Sequence, residues 1–253
     1  MPTLMYLQEM IRMHAKDKII VALDVPDLAA GEKLVDRLSP YAGMFKVGLE
    51  FFTAAGPAAV RMVKERGGRV FADLKFHDIP NTVAGAARAL VRLGVDMLNV
   101  HAAGGKAMLQ AAAAAVREEA AALNRPAPVI IAVTVLTSLD REALRCEVGI
   151  EREVEEQVAR WALLAREAGL DGVVASPREI RAIREACGPE FVIVTPGVRP
   201  AGSDRGDQRR VMTPAEALRE GASYLVIGRP ITAAPDPVAA ARAIAAEIEM
   251  VSQ

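Results

Sequence analysis

A chain of 253 residues, 52% of them hydrophobic and without a long polar tract, can bury one large core, and chains of this length routinely close into a single α/β barrel domain. Its 31 basic residues against 32 acidic ones leave a formal net charge of −1, so no chain-wide positive field exists to hold nucleic acid or an anionic membrane surface. Any anion must be held by a local site.

The opening residues, PTLMYLQEMIRMHAKD, are amphipathic and charged. They read as a helical extension over residues 1–17 that closes the bottom of the fold, not as a secretory signal. No apolar run approaches the roughly 20 residues that a bilayer crossing requires, and a cytoplasmic protein without membrane attachment is expected. Eight short apolar runs follow, at 19–23, 44–47, 70–74, 97–100, 129–133, 172–175, 191–194 and 224–227. Between them lie longer alanine-rich stretches with helical periodicity, among them 81–93, 106–123, 151–168 and 177–186. A last helix over 237–250 is expected to return against the first.

This alternation is that of repeated βα units around a buried parallel sheet. No G-x-G-x-x-G follows the first strand, so the expected fold is a single (β/α)8 TIM barrel over 1–253 and not an open doubly wound sheet. The clearest irregular stretch is 199–212, rich in Gly, Asp and Arg. A connection of that length in a compact domain is usually functional, and closure over a bound phosphate is expected of it. The two thiols, Cys146 and Cys187, stand far apart and outside any C-x-x-C pattern, which fits a reducing compartment and speaks against a disulfide framework or a zinc site.

Barrel enzymes act at the C-terminal ends of their strands, so polar residues there are the candidates. The first strand ends in Asp24, the second carries Lys46, and the third runs Asp73-Leu74-Lys75-Phe76-His77-Asp78. In an extended strand, positions two apart share a face, which sends Asp73 and Lys75 together into the barrel and turns Leu74 out. Ionised side chains are rarely buried unless paired, and alternating acids and lysines over three strands make a network. Asp24 or Lys46 alone is equally well read as part of a structural ion pair, whereas the Asp73, Lys75 and Asp78 cluster in a barrel mouth points to chemistry. His77, turned away from Lys75 by the same alternation, reads as supporting.

The segment after the seventh strand is Thr195-Pro196-Gly197-Val198-Arg199-Pro200, and the eighth strand ends Ile227-Gly228-Arg229-Pro230. Loops at these two places hold a phosphate in many barrels, with glycine admitting backbone N–H groups and arginine adding charged donors. Gln208 lies in the long loop and has an amide to offer the same anion. A phosphate monoester is the expected ligand.

The run Asp73-Leu74-Lys75-Phe76-His77-Asp78-Ile79-Pro80-Asn81-Thr82 resembles the signature of the orotidine 5′-phosphate decarboxylase family. The likeness extends through Val21–Asp24, Phe45–Gly48, Val133–Ser138, Thr195–Pro200, Gly206–Pro214 and Val226–Thr232, covering the chain from Asp17 onward. The resemblance implies conversion of orotidine 5′-phosphate (OMP) to uridine 5′-phosphate (UMP) and CO₂ without metal or cofactor. It assigns Asp24 and Lys46 to the ribose hydroxyls, and Lys46, Asp73, Lys75 and Asp78 to the charged network, with Lys75 as proton donor. Thr137 is implied to read the pyrimidine, and Arg199, Gln208, Gly228 and Arg229 to hold the phosphate. Asp78 and Thr82 are implied to enter from the partner subunit of a homodimer.

Loss of CO₂ from C6 leaves a carbanion with no carbonyl placed to absorb it, so stabilisation must be electrostatic, and a fixed ammonium supplies it without reorganisation. Two rivals share part of the pattern. Mg²⁺-dependent sugar-phosphate decarboxylases and aldolases of the related barrel group carry an Asp-x-Lys-x-x-Asp strand but have an acid where Lys46 stands, and a lysine there repels a divalent cation. A catalytically silent nucleotide-phosphate binder would keep the phosphate loops without the charged network.

Overall fold

The computed structural model describes residues 15–200 and 212–250. Residues 15–17 are helical; the rest of the expected N-terminal extension, and Gln208, lie outside the described residues. Eight strands form the barrel: β1 Ile19–Leu23, β2 Met44–Gly48, β3 Val70–Phe76, β4 Met97–His101, β5 Val129–Val133, β6 Gly172–Val174, β7 Val192–Pro196 and β8 Tyr224–Ile227. They follow one another around a closed ring, and β8 pairs in parallel with β1.

Each strand is covered on both sides, which is why the sequence shows near-continuous apolar runs. Ile20, Ala22, Met44, Phe71, Met97, Ile131, Val194 and Val226 fill the inside of the ring. Their neighbours of opposite parity, among them Ile19, Val21, Leu23, Phe45, Val70 and Leu98, join the larger core beneath the helices, as the pleat requires. Two residues beyond Ala22, Met44, Phe71 and Met97, the inward parity reaches Asp24, Lys46, Asp73 and Asn99. The apolar plug thus ends in a polar layer at the C-terminal mouth.

All eight expected strands form; β1, β5 and β8 have the expected ends and the other five differ by one or two residues, because ladder partners, not local sequence, decide where pairing stops. The helix expected over 151–168 is Val154–Glu167. The one expected over 177–186 divides into a 3₁₀ turn, Pro177–Glu179, and a helix, Ile180–Cys187; Ser176 caps the turn by accepting from the Arg178 N–H. The last helix, Pro237–Glu249, packs on the helix Leu28–Leu38, where Arg37 meets Asp236 at 3.3 Å. Among the described residues, no helix is long and apolar enough to cross a membrane.

The extended alternation expected through Lys75 does not hold. Ala72 pairs with Leu98, and the next pairing is Phe76 with Val100, so four steps along β3 are matched by two along β4. The surplus residues form a bulge, in which Lys75 adopts φ 50°. Left-handed backbone at a residue other than glycine costs about 1–3 kcal/mol and persists only where its surroundings enforce it.

At the β6–β7 seam Gly172 pairs with Val192, and a Cβ added to Gly172 would lie 2.1 Å from the Val192 carbonyl oxygen. Because that neighbour is backbone inside the ring, it has little room to yield. Gly172→Ala is expected to lower the unfolding free energy by about 3 kcal/mol, the upper range of overpacking. Urea denaturation checks this, and a loss below about 0.5 kcal/mol, the scatter of a neutral surface change, would show that the seam relaxes freely.

Candidate active site

The charged side chains of the mouth form one chain of contacts. Lys46 Nζ lies 2.9 Å from Asp24 Oδ1 and 3.4 Å from Asp73 Oδ2, and Lys75 Nζ donates to Asp73 Oδ1 at 2.7 Å. The middle members are the secluded ones, with Lys46 and Asp73 side chains 11% and 13% exposed against 54% for Asp24 and 32% for Lys75. The two ends are therefore free to meet a ligand, while the centre is held by the protein. Gly48 contributes by lacking a side chain, since a Cβ there would come within 2.6 Å of Lys46 Nζ and push the ammonium aside.

Burial pushes the Asp73 carboxyl up, but the charges of Lys46 and Lys75 and the hydrogen bonds from Lys75 and Asn99 outweigh it, and its pKa falls below the ordinary value of 3.8. Asn99 was not anticipated. Fully buried on β4, it donates through Nδ2 to Asp73 Oδ1 at 2.7 Å and accepts from the Lys75 backbone N–H at 2.7 Å. Its sequence signal was available: inward parity on β4 runs Met97, Asn99, His101, a polar residue at a core position.

The network opens into a cavity of about 540 Å³, which Thr137, Arg199, Gly228 and Arg229 also line. Phe71, Val133, Val174 and Val226 supply apolar wall. Glu50, just after β2, also lines the cavity and was not anticipated. The structure thus brings together Asp24, Lys46, Asp73, Lys75, Thr137, Arg199, Gly228 and Arg229. Asp78 and Thr82 are exposed and do not line that cavity within the protomer; Asp78 Oδ1 accepts from the adjacent Ile79 N–H at 2.6 Å.

His77 is exposed and stacks on His101, ring centroids 5.3 Å apart, and His101 meets Trp161 edge-on at 5.9 Å. The His101 imidazole is pushed down to about 4, first by burial and then by the charges of His77 and Lys75. Its Nδ1 accepts from the Ala103 N–H at 3.2 Å, so the neutral ring carries its proton on Nε2.

A closed parallel barrel with charged side chains converging in a cavity at the C-terminal ends of its strands defines a β/α-barrel enzyme. Within that class, the chain belongs to the orotidine 5′-phosphate decarboxylase / HUMPS family, whose model matches residues 17–244. A relative from Trichlorobacter lovleyi named orotidine 5′-phosphate decarboxylase is 57% identical over 239 residues, 94% of this chain and 98% of the relative. The crystal structure of orotidine 5′-phosphate decarboxylase from Lactobacillus acidophilus superposes with a TM-score of 0.80 at 39% identity, covering 91% of this chain and 98% of that one. That from Pyrococcus horikoshii OT3 gives 0.71 at 29% identity over 91% and 98%.

The depressed Asp73 carboxyl has a sign that can be checked. Its folded pKa lies below its unfolded one, so its ionisation adds stability that is present above the unfolded value and lost as pH falls through the folded one. Whatever constant offset the lost hydrogen bonds leave, the stability difference between the protein and Asp73→Asn should therefore shrink on acidification below about pH 5, the region where carboxylates begin to protonate. A difference independent of pH between 3 and 7, measured by denaturant unfolding, would contradict this origin of the shift.

Proposed function

We propose that the cavity binds orotidine 5′-phosphate and releases uridine 5′-phosphate and CO₂, a carboxy-lyase step of pyrimidine nucleotide synthesis, in the cytoplasm and with no metal or organic cofactor. The single observation that carries this reading is the ammonium of Lys46 between the carboxylates of Asp24 and Asp73. A cation fixed there leaves those two acids matched and opposes entry of a divalent ion, which separates this chain from the Mg²⁺-dependent members of the related barrel group.

Asp24 and Lys46 take the ribose hydroxyls, Thr137 the pyrimidine ring, and Arg199, Gln208, Gly228 and Arg229 the phosphate. The C6 carboxylate then lies beside Asp73 and Lys75. As the bond from C6 to the carboxylate carbon breaks, CO₂ departs, the electron pair stays on C6, and the Lys75 ammonium delivers a proton to it; solvent restores the proton to the amine. Lys75 already points its charge into the site before the reaction, so carbanion stabilisation needs no reorganisation.

Asp73 contributes a like-charge contact that is relieved as CO₂ leaves. At roughly 4 Å and an effective dielectric of about 20, one such pair amounts to about 4 kcal/mol before neighbouring cations offset it. Enzymes lower barriers by about 8–23 kcal/mol, so carbanion stabilisation and binding energy from the remote phosphate must supply most of the effect.

Asp78 and Thr82, exposed beside the 67% exposed Ile79, complete the site of a second subunit in a homodimer. Exposure of a large apolar side chain next to two polar residues of the family signature supports such a shared face.

The deciding assay follows the ultraviolet absorbance of orotidine 5′-phosphate with purified protein in chelator. Conversion to uridine 5′-phosphate is expected; folded dimer without conversion would favour the Mg²⁺-dependent or silent reading. Lys75→Ala is expected to lower turnover by at least about 10³-fold, the scale of losing a preorganised charge donor, while product-nucleotide binding is partly kept. Mixing inactive Lys75→Ala and Asp78→Ala dimers under conditions of subunit exchange should restore activity, because one hybrid site carries both native residues. No recovery despite demonstrated exchange would place Asp78 outside a shared site.

A further inference from the structure

Asn99 occupies a place in the fold that the mechanism above does not use. In a regular parallel ladder each inward strand residue finds its backbone partners on the neighbour, but the β3 bulge advances four residues against two on β4. That mismatch takes the Lys75 N–H out of the regular ladder, and Asn99 Oδ1 accepts from it at 2.7 Å. On its other side Asn99 Nδ2 donates at 2.7 Å to Asp73 Oδ1, the same oxygen that receives Lys75 Nζ. One fully buried amide therefore ties the backbone of Lys75 to the side chain of Asp73. Its orientation is fixed from both ends, since only its oxygen accepts and only its nitrogen donates.

We infer that Asn99 is a positioning residue for the decarboxylation proposed above: it substitutes for the missing ladder partner, holds Lys75 in its left-handed backbone conformation, and locks the Asp73 carboxylate against the ammonium. The inference rests on that proposed reading for its catalytic meaning, but the geometry it invokes exists without substrate. The groups that face Asp73 are Lys46 from β2, with Asp24 at the end of β1 beyond it, Lys75 on its own strand, and the neutral Asn99 from β4. His101, two residues past Asn99, His77 stacked upon it, Asp78 beyond β3 and Glu50, which lines the cavity just after β2, are titratable groups on the adjoining strand ends.

Two substitutions separate positioning from bulk packing. Asn99→Leu keeps the volume and removes both hydrogen bonds. Its kcat is expected to fall about 10- to 100-fold, the scale of a misplacement near 1 Å, with KM within about 3-fold because the phosphate and ribose contacts are untouched. Losing one donor to the carboxylate should also move the acid limb of the pH–rate profile to higher pH. Asn99→Asp is isosteric but sets a second carboxylate against Asp73, and like charges so close favour protonation of one. Once protonated, that residue again accepts from the Lys75 N–H and donates to Asp73, so this variant's activity should rise as pH falls from 8 toward 6.

The experiment measures kcat, KM and their pH dependence for the protein and both variants, and in parallel the ¹³C-carboxyl titration of Asp73, which needs no turnover. A kcat loss with the acid limb moved upward in Asn99→Leu, acid rescue of Asn99→Asp, and an upward Asp73 titration in Asn99→Leu support the inference. Unchanged kcat and Asp73 titration overturn it, as does lower thermal stability with an unaltered pH profile and Asp73 titration, the mark of a packing role alone. If Asn99→Leu does not fold, the isosteric Asn99→Asp decides by the presence or absence of acid rescue. An unmodified protein that does not turn over orotidine 5′-phosphate defeats the proposed function, while the Asp73 titration still decides whether Asn99 sets that carboxylate.

Discussion

The carboxylate of Asp73 is the point on which the mouth of this barrel is built. Three groups converge on it from three strands: Lys75 from its own β3 and Asn99 from β4 donate hydrogen bonds, and Lys46 from β2 pairs with it as a charge at 3.4 Å. A buried carboxylate left with fewer partners would be driven toward its neutral form, and the two ammonium groups would then face each other without a counter-charge between them. The order acid, lysine, acid, lysine is thus a single electrostatic object. Its exposed ends are suited to engage a ligand, and its secluded centre holds them apart at a fixed spacing.

The barrel makes this arrangement affordable because its apolar plug and its polar layer are the same residue parity read at different heights. Ala22, Met44, Phe71 and Met97 line the ring, and two residues further along stand Asp24, Lys46, Asp73 and Asn99. Lys46, Asp73 and Asn99 stand on strands and Asp24 directly after one, so packing of the plug fixes their spacing. The cavity-lining residues Gly197, Arg199, Gly228 and Arg229 instead follow β7 and β8.

Much of this was legible in the amino-acid order. Burial on both faces writes β-branched runs that cannot be mistaken for surface, and all eight strands were read from them. Asp73 and Lys75 stood out because ionised residues at an inward parity demand an explanation. Two features were not legible, and a third was legible but unread. Strand ends depend on partners distant in sequence. The bulge at Lys75 defeats the alternation rule, which assumes one residue on β3 for each on β4; the two side chains do meet, but through a left-handed turn and not through regular pleating. Asn99 carries no charge and was passed over, although its inward parity between Met97 and His101 marked it. Asp78 and Thr82 were recognisable only as parts of a family signature, since nothing in a single protomer draws them to the cavity.

The left-handed backbone at Lys75 sets what position 75 can tolerate. The residue that would suit that conformation best is glycine, and β-branched residues would suit it least, yet the position is held by a long cation. The preference of the backbone and that of the proposed chemistry therefore point to different amino acids at one site. A library of substitutions there, ranked once by thermal stability and once by turnover, would give two orders that disagree most at glycine and lysine.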